Sequence, residues 1–302
     1  MILHHYPMSP FSEKIRLMLG YAGIDWQSAV APEMPPRPIV DPLAGGYRRI
    51  PVAQQGADIF CDSRLISAEI AALAANPALD PANCDEAALG FSAQLEGEVF
   101  WACVASIPAR KILGQLFRKL GFRNAFRFIF DRAGIARAAE TKPVSPQEAV
   151  QLFSRHLQEL EHHLTNAGPF LFGAAPCHSD FAAYHTFWFQ RVVGELPMPR
   201  DLPAVVAWYE RMSEFGHANS EALNAEQVFA AAHDATPRAV PAELAAGPMV
   251  GQTVVVRPND YALDAVSGVL VGMSASRIII ARESEVAGTV HVHFPAEGFA
   301  LA

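Results

Sequence analysis

Ile2-Leu3-His4-His5-Tyr6 leads, after one proline, into Met8-Ser9-Pro10-Phe11-Ser12-Glu13-Lys14-Ile15-Arg16-Leu17. The first run has the length and apolar character of a strand, and Ser9-Pro10 opens a helix directly behind it. Serine is a favoured N-cap because its oxygen accepts a hydrogen bond from an unpaired N–H of the first turn. Proline at the first helical position loses no intrahelical bond. Ile15, Met18, Leu19 and Ala22 then recur at helical spacing, and Gly23 ends the helix. A capped helix start is also an anion site, with free N–H groups and the positive dipole end converging on one point. A hydroxyl at that point can hold a thiolate.

The strand–helix alternation continues to about residue 75. Trp26–Ala31 reads as a strand, a proline-rich loop follows, and residues 50–53 and 59–61 read as a hairpin turning at Gly56. A helix starts near Ser63. This is an α/β unit, with boundaries at 1–78. Residues 85–233 carry helical patterns only, with candidate helices at 87–106, 111–137 (broken at Gly114 or Gly121), 147–165, 180–193, 203–214 and 221–233. Asp234–Pro248 reads as a linker. Residues 249–302 hold four short β-rich runs and form a small all-β module. It is too small to be very stable alone, so it is expected to pack on the helices or on a partner.

The 302 residues are 51% hydrophobic and 18% charged, which indicates a globular chain. A net charge of −8 argues against general nucleic-acid binding. No apolar run approaches the ~18 residues of a membrane span, and the N-terminus does not read as a secretory signal. Cys61, Cys84, Cys103 and Cys177 are widely spaced, which suits reduced thiols in the cytoplasm better than disulfides or zinc.

Three local stretches, in order, resemble the cytosolic glutathione S-transferase family over residues 1 to about 230. Ser9-Pro10-Phe11-Ser12 stands where thioredoxin-like relatives carry Cys-Pro-x-Cys and some transferase classes carry a catalytic Ser or Cys. Ile50-Pro51-Val52 resembles the family's cis-proline turn. Asp62-Ser63 stands where the family usually has Glu-Ser or Gln-Ser. The resemblance implies a thioredoxin-like α/β domain followed by an all-α helical domain, with the small all-β C-terminal appendage outside it. It also implies glutathione as co-substrate, a small, largely apolar electrophile as second substrate, and a homodimer. Ser9 would activate the glutathione sulfur, with Tyr6 and Ser12 as alternatives. Pro51 and Val52 would hold the cysteinyl part, and Asp62 and Ser63 the γ-glutamyl end. Met8, Phe11, Phe100, Trp101 and Val104 would form the substrate wall. The alternative is a non-catalytic glutathione-binding or assembly protein that kept the fold, favoured by the appended module and by Asp62, one methylene shorter than the usual residue. Phe170-Leu171-Phe172-Gly173 with Asp180 resembles the family's buried helix start. Cys177 occupies the capping position, so Ser179 is expected to cap instead.

Two further features stand outside the resemblance. Residues 109–137 hold eight basic residues and one acid, Asp131. Lys119, Arg123 and Arg127 fall at i, i+4 and i+8, with Phe122, Phe126, Ile129 and Phe130 on an adjacent face. This is either a solvated basic face paired with acids elsewhere or an anion or acidic-membrane-surface site. His291 and His293 share one strand face without a convincing third ligand, so no metal is expected.

Overall fold

The computed structural model describes residues 1–138 and 145–302. The N-terminal unit runs β1 (Ile2–His5), α1 (Pro10–Tyr21), β2 (Trp26–Val30), α2 (Val40–Ala44), β3 (Val52–Gln55), β4 (Asp58–Cys61) and α3 (Ser63–Leu73). β1 pairs in parallel with β2 and antiparallel with β3, and β3 pairs antiparallel with β4. This is the thioredoxin-like arrangement expected from the sequence.

The helical part comprises α4 (Glu86–Glu96), α5 (Glu98–Ser106), α6 (Ala109–Ala138), α7 (Pro146–Ala167), α8 (His178–Trp188) and α9 (Pro203–Ser213). The expected helix over 87–106 is two helices, because Gly97 leaves helical geometry at φ −107°, ψ −112°. The expected helix over 221–233 is shorter. Its start is β5 (Ser220–Ala222), an edge strand parallel to β2, and α10 (Ala225–His233) follows. Where α1 meets the turn after α9, a Cβ on Gly20 would lie 2.0 Å from the Gly216 carbonyl oxygen. Only glycine permits that approach.

The C-terminal strands are β6 (Thr253–Pro258), β7 (Val266–Met273), β8 (Arg277–Ser284), β9 (Gly288–Pro295) and β10 (Phe299–Leu301). They do not dock as a separate module on the helices. β9 pairs in parallel with β4, in register Asp58↔His291 and Phe60↔His293, and makes one ten-stranded sheet in the order β10-β6-β7-β8-β9-β4-β3-β1-β2-β5. The side-chain period of two divides the core accordingly. Leu3, Ala53 and Phe60 face α1, α3 and the helical part. Ile2, Val52, Ile59 and Cys61 face the opposite side, where Val254, Ile280, Val292 and Phe294 continue the same apolar layer.

Polar contacts fasten the extension. The buried His293 Nε2 and Asp58 Oδ1 lie 2.8 Å apart. Glu69 on α3 accepts from Arg238 at 2.8 Å and Arg277 at 3.1 Å, tying the linker and β8 to the same helix. Burial alone would raise the Asp58 carboxyl, but His293 and Arg238 outweigh it and hold it below the usual carboxylate value. No helix among the described residues is long and apolar enough to cross a membrane.

Burial pushes the imidazoles of His4, His5 and His156 down to about 4 and that of His185 to about 3. In the unfolded chain each titrates near ~6.5. As pH falls below that value the unfolded state gains protons that the native state refuses, so stability drops between about pH 6.5 and 4. Urea midpoints measured at pH 7, 5.5 and 4.5 are expected to fall in that order; equal midpoints would contradict this burial pattern.

Candidate functional site

Ser9 is the N-cap of α1, with extended backbone (φ −76°, ψ 118°) and an Oγ that accepts from the Ser12 N–H at 3.2 Å. Its own N–H bonds the Tyr6 carbonyl at 3.1 Å. The Ser9 hydroxyl hydrogen has no acceptor among the described residues. Ser9 lines a cavity of about 600 Å³ between the α/β unit, α5 and α6. Tyr6, Met8, Phe11, Phe100, Trp101 and Val104 line the same cavity, so the structure brings together two of the three nucleophile-activating candidates and all five wall residues. Ser12 is fully buried, its Oγ lacks a partner, and it does not line the cavity.

The wall is aromatic. Phe11 packs on Phe100 at 5.0 Å and on His185 at 4.8 Å between ring centroids. Both His185 ring nitrogens are buried without partners, so the ring acts as an apolar plate. Trp101 meets the edge of Tyr261 at 5.4 Å, which places the loop between β6 and β7 at the cavity. Arg49 clamps that loop, with its guanidinium 4.0 Å over the Tyr261 ring and paired with Asp260.

α6 roofs the cavity. Gly121 breaks it with φ 71° and ψ 168°, a conformation essentially confined to glycine. Phe117 lies 5.0 Å from Phe122 and 5.5 Å from Phe126. Nine residues of straight helix would separate the second pair by about 13.5 Å, so the two segments fold back on each other. The break also takes Lys119 off the helical face that carries Arg123 and Arg127, contrary to the spacing argument. The second segment ties down the cavity's rim, with Arg48 paired to Asp131 and Arg132 donating to the Glu33 carbonyl at 3.1 Å. Arg37 is locked by the Pro32 and Glu33 carbonyls.

The residues expected to bind glutathione lie beside this cavity rather than on its wall. The Ile50-Pro51 bond is cis. Val52 is fully buried and registered against His4 and Cys61, whereas Ile50 lines the cavity and makes no backbone–backbone hydrogen bond among the described residues. Asp62 caps α3 from φ 78°, ψ 136°, a strained conformation for a non-glycine residue. Its Oδ1 accepts from the Arg64 N–H at 2.9 Å and Nε at 3.2 Å, while Arg64 Nη2 reaches the Glu297 carbonyl. Ser63 Oγ accepts from Lys14 Nζ at 2.8 Å, and Lys14, wholly buried, is paired with Glu96 at 2.5 Å. Burial would raise the Glu96 carboxyl; the Lys14 ammonium and His178 instead hold it well below its ordinary value.

Arg37, Arg48, Arg49 and Tyr261 are not legible as site residues, because each is brought to the cavity by long-range pairing; Ile50 and Lys14 stand inside stretches already singled out, but their own roles there are not. Asp180 is structural, accepting from the Leu171 and Cys177 N–H groups and from Trp208 Nε1. Ser179 does not cap α8; it donates to the Ala88 carbonyl and accepts from Ser92. His291 lines a second cavity of about 520 Å³ beside the linker, and no cluster of three or more metal-ligating side chains occurs among the described residues.

The model of the glutathione S-transferase N-terminal domain matches residues 3–78. A GST-like protein from Pseudomonas syringae is 32% identical, with a TM-score of 0.79 over 100% of this chain and 98% of that one, so the likeness includes the C-terminal strands. A glutathione S-transferase from Methylobacillus flagellatus, solved with GSH bound, is 17% identical over 70% of this chain and 94% of that one (TM-score 0.49). One from Sinorhizobium meliloti is 17% identical over 70% and 87% (TM-score 0.49). No curated protein matches the chain.

Replacing Arg49 with Gln removes the ion pair to Asp260 and the cation above Tyr261. Amide hydrogen exchange in residues 259–264 is expected to rise by about tenfold, roughly the loss of one charge-assisted contact, while β8 and β9 keep their protection. Unchanged exchange would show that Arg49 does not hold the loop.

Proposed function

This chain belongs to the glutathione S-transferase family, and on that footing we propose that it activates the glutathione thiol at Ser9 for attack on a small, largely apolar electrophile. The observation that carries the reading is the Ser9 hydroxyl: capped from behind by the Ser12 N–H, without an acceptor of its own, and lining an aromatic cavity. Donating to a bound sulfur would satisfy that hydrogen and stabilise the thiolate. The N-terminal dipole end of α1 adds to the same preference. The thiol proton leaves to solvent as the thiolate forms. Its lone pair then makes a carbon–sulfur bond while the electrophile's leaving group departs with its bonding pair, or while an activated double bond takes up the electrons and then a proton. Phe11, Phe100 and Trp101 would hold the apolar body and exclude water.

Glutathione would lie from Ser9 past the cis-proline turn to the start of α3. Pro51 shapes that turn, and the free backbone groups of Ile50, rather than those of Val52, are the natural partners for the cysteinyl amide. Asp62 would meet the γ-glutamyl ammonium, and the Ser63 hydroxyl the carboxylate, with the Lys14 ammonium behind it polarising that hydroxyl. The four cysteines are all free, which fits a reducing cytoplasmic setting, and a homodimer remains part of the proposal. One observation favours the alternative of a fold kept for binding or assembly. Asp62 is already held by Arg64, which is itself anchored on the Glu297 carbonyl in the turn between β9 and β10.

Ser9→Ala is expected to lower kcat/KM towards an activated aryl halide by about 10²-fold, the usual cost of losing one donor to a developing anion. Glutathione affinity should stay within about threefold, because the donor acts on the ionised sulfur. Tyr6→Phe is expected to leave turnover within about twofold, since it keeps the ring and no contact assigned to the Tyr6 hydroxyl is lost. Steady-state kinetics and calorimetric titration check both. Unchanged turnover in Ser9→Ala would reduce Ser9 to a helix cap.

A further inference from the structure

The outer face of α6 has no role in the site just described. After the break at Gly121, Phe122, Phe126 and Phe130 follow at four-residue spacing with relative exposures of 75%, 51% and 74%, the first two resting partly on Phe117 of the preceding segment. At 100° per residue they share an arc of about 140° with Arg123, Arg127 and Arg137, also exposed. No acid falls within this arc, and Asp131 turns the other way to pair with Arg48. The inward face of the same segment carries Phe128, Ile129 and Arg132, which line the cavity. Exposed Arg110, Arg118 and Lys119 lie on the preceding segment.

We propose that this face of α6 is a peripheral docking surface for an anionic lipid bilayer. Three exposed phenylalanines along one helix face are expensive in water. Interleaved guanidiniums suit a surface whose phosphates lie directly above a hydrocarbon layer, with the rings below the phosphates and the arginines among them. The charge distribution selects the orientation. Arg123, Arg127 and Arg137 put three positive charges and no acid on this face of a chain whose net charge is −8, so an anionic surface repels the rest of the molecule and attracts this face. A protein partner would have to supply acids alternating with apolar pockets in register with the helix; a lipid headgroup layer meets the pattern without register. Docked this way, the roof of the cavity lies on the bilayer, where apolar electrophiles concentrate.

The test is co-sedimentation of the full chain with two kinds of vesicle, one of phosphatidylcholine alone and one with about one third phosphatidylglycerol. The anionic vesicles are expected to bind at least about tenfold more tightly, with the difference lost at high salt. Arg123→Gln/Arg127→Gln/Arg137→Gln is expected to weaken that binding roughly 100-fold, from the usual contribution of a basic residue at an anionic surface. Phe122→Ser/Phe126→Ser/Phe130→Ser should weaken it comparably. The arginine variant alters only exposed side chains, so its melting temperature should match the parent's; the Phe variant also loses the Phe117 contacts, and its cooperative thermal transition is recorded beside its binding. Equal binding to both vesicles, no binding to either, or a triple variant that binds like the parent would each overturn the proposal. So would a Phe variant that dissociates a dimer of this chain while vesicle binding is unaffected, since the patch would then be a protein interface. None of these readouts uses catalysis, so they stand apart from the assignment of Ser9.

Discussion

The edge of β4 must be covered, and most of the molecule's organisation follows from how that is done. All four residues of β4 are buried with β9 in place, and without β9 the strand would present a row of unpaired N–H and C=O groups between apolar side chains, open to pairing with another chain. β9 supplies the partner in a parallel register, and His293 on Asp58 marks the register with a polar contact inside the core. A slip by one residue would take the imidazole from the carboxylate and turn Val292 out of the apolar layer. Once β9 is fixed, β6, β7, β8 and β10 extend the same apolar face, and the loop before β7 reaches back to Arg49 and the cavity. The small C-terminal unit therefore owes its stability to a shared sheet and core.

A second constraint joins the α/β unit to the helical part. Lys14 on α1 and Glu96 on α4 form a buried pair, completed by Ser63 and His178. Removing one member of such a pair typically costs about 3–5 kcal/mol, because the other charge is stranded. The pair anchors the helix that Ser9 caps and contacts Ser63 at the head of α3, so the two helix starts proposed to hold opposite ends of glutathione share one polar support. Pre-positioned donors of this kind spare the reorganisation that a flexible site would need.

The sequence made the local signals readable. Ser9-Pro10 as a cap, the Ile50-Pro51 turn and Asp62-Ser63 before a helix are each set by neighbouring residues, and each is found in place. Helix existence is legible from the 3.6-residue period, and the break in the long helix is narrowed to Gly114 or Gly121, of which the structure uses Gly121; the break at Gly97 is not located, since a glycine inside a helical pattern does not announce its own φ. The expected helix over 221–233 overruns β5 because a three-residue edge strand has too little period to read, and its pairing with β2 is a tertiary fact. The continuous sheet was hidden for the same reason: about 230 residues separate β4 from β9. The arginine rim lay partly in plain view as a basic segment, yet its assignment to a cavity wall needed Asp131, Glu33 and Asp260 to be placed beside it. The period groups Phe122, Phe126, Ile129 and Phe130 as one apolar face; the structure turns Ile129 to the cavity and leaves the three phenylalanines largely in solvent.

The role proposed for the site rests on the hydroxyl at the head of α1 stabilising a sulfur anion. The most direct measurement is the ultraviolet absorbance of glutathione thiolate bound to the protein, titrated against pH and compared with free glutathione. The expected midpoint lies at least about one unit below the ~8.5 of an unperturbed thiol and returns towards that value in Ser9→Ala with glutathione still bound. A bound thiol that ionises at the free value in the parent protein would contradict it.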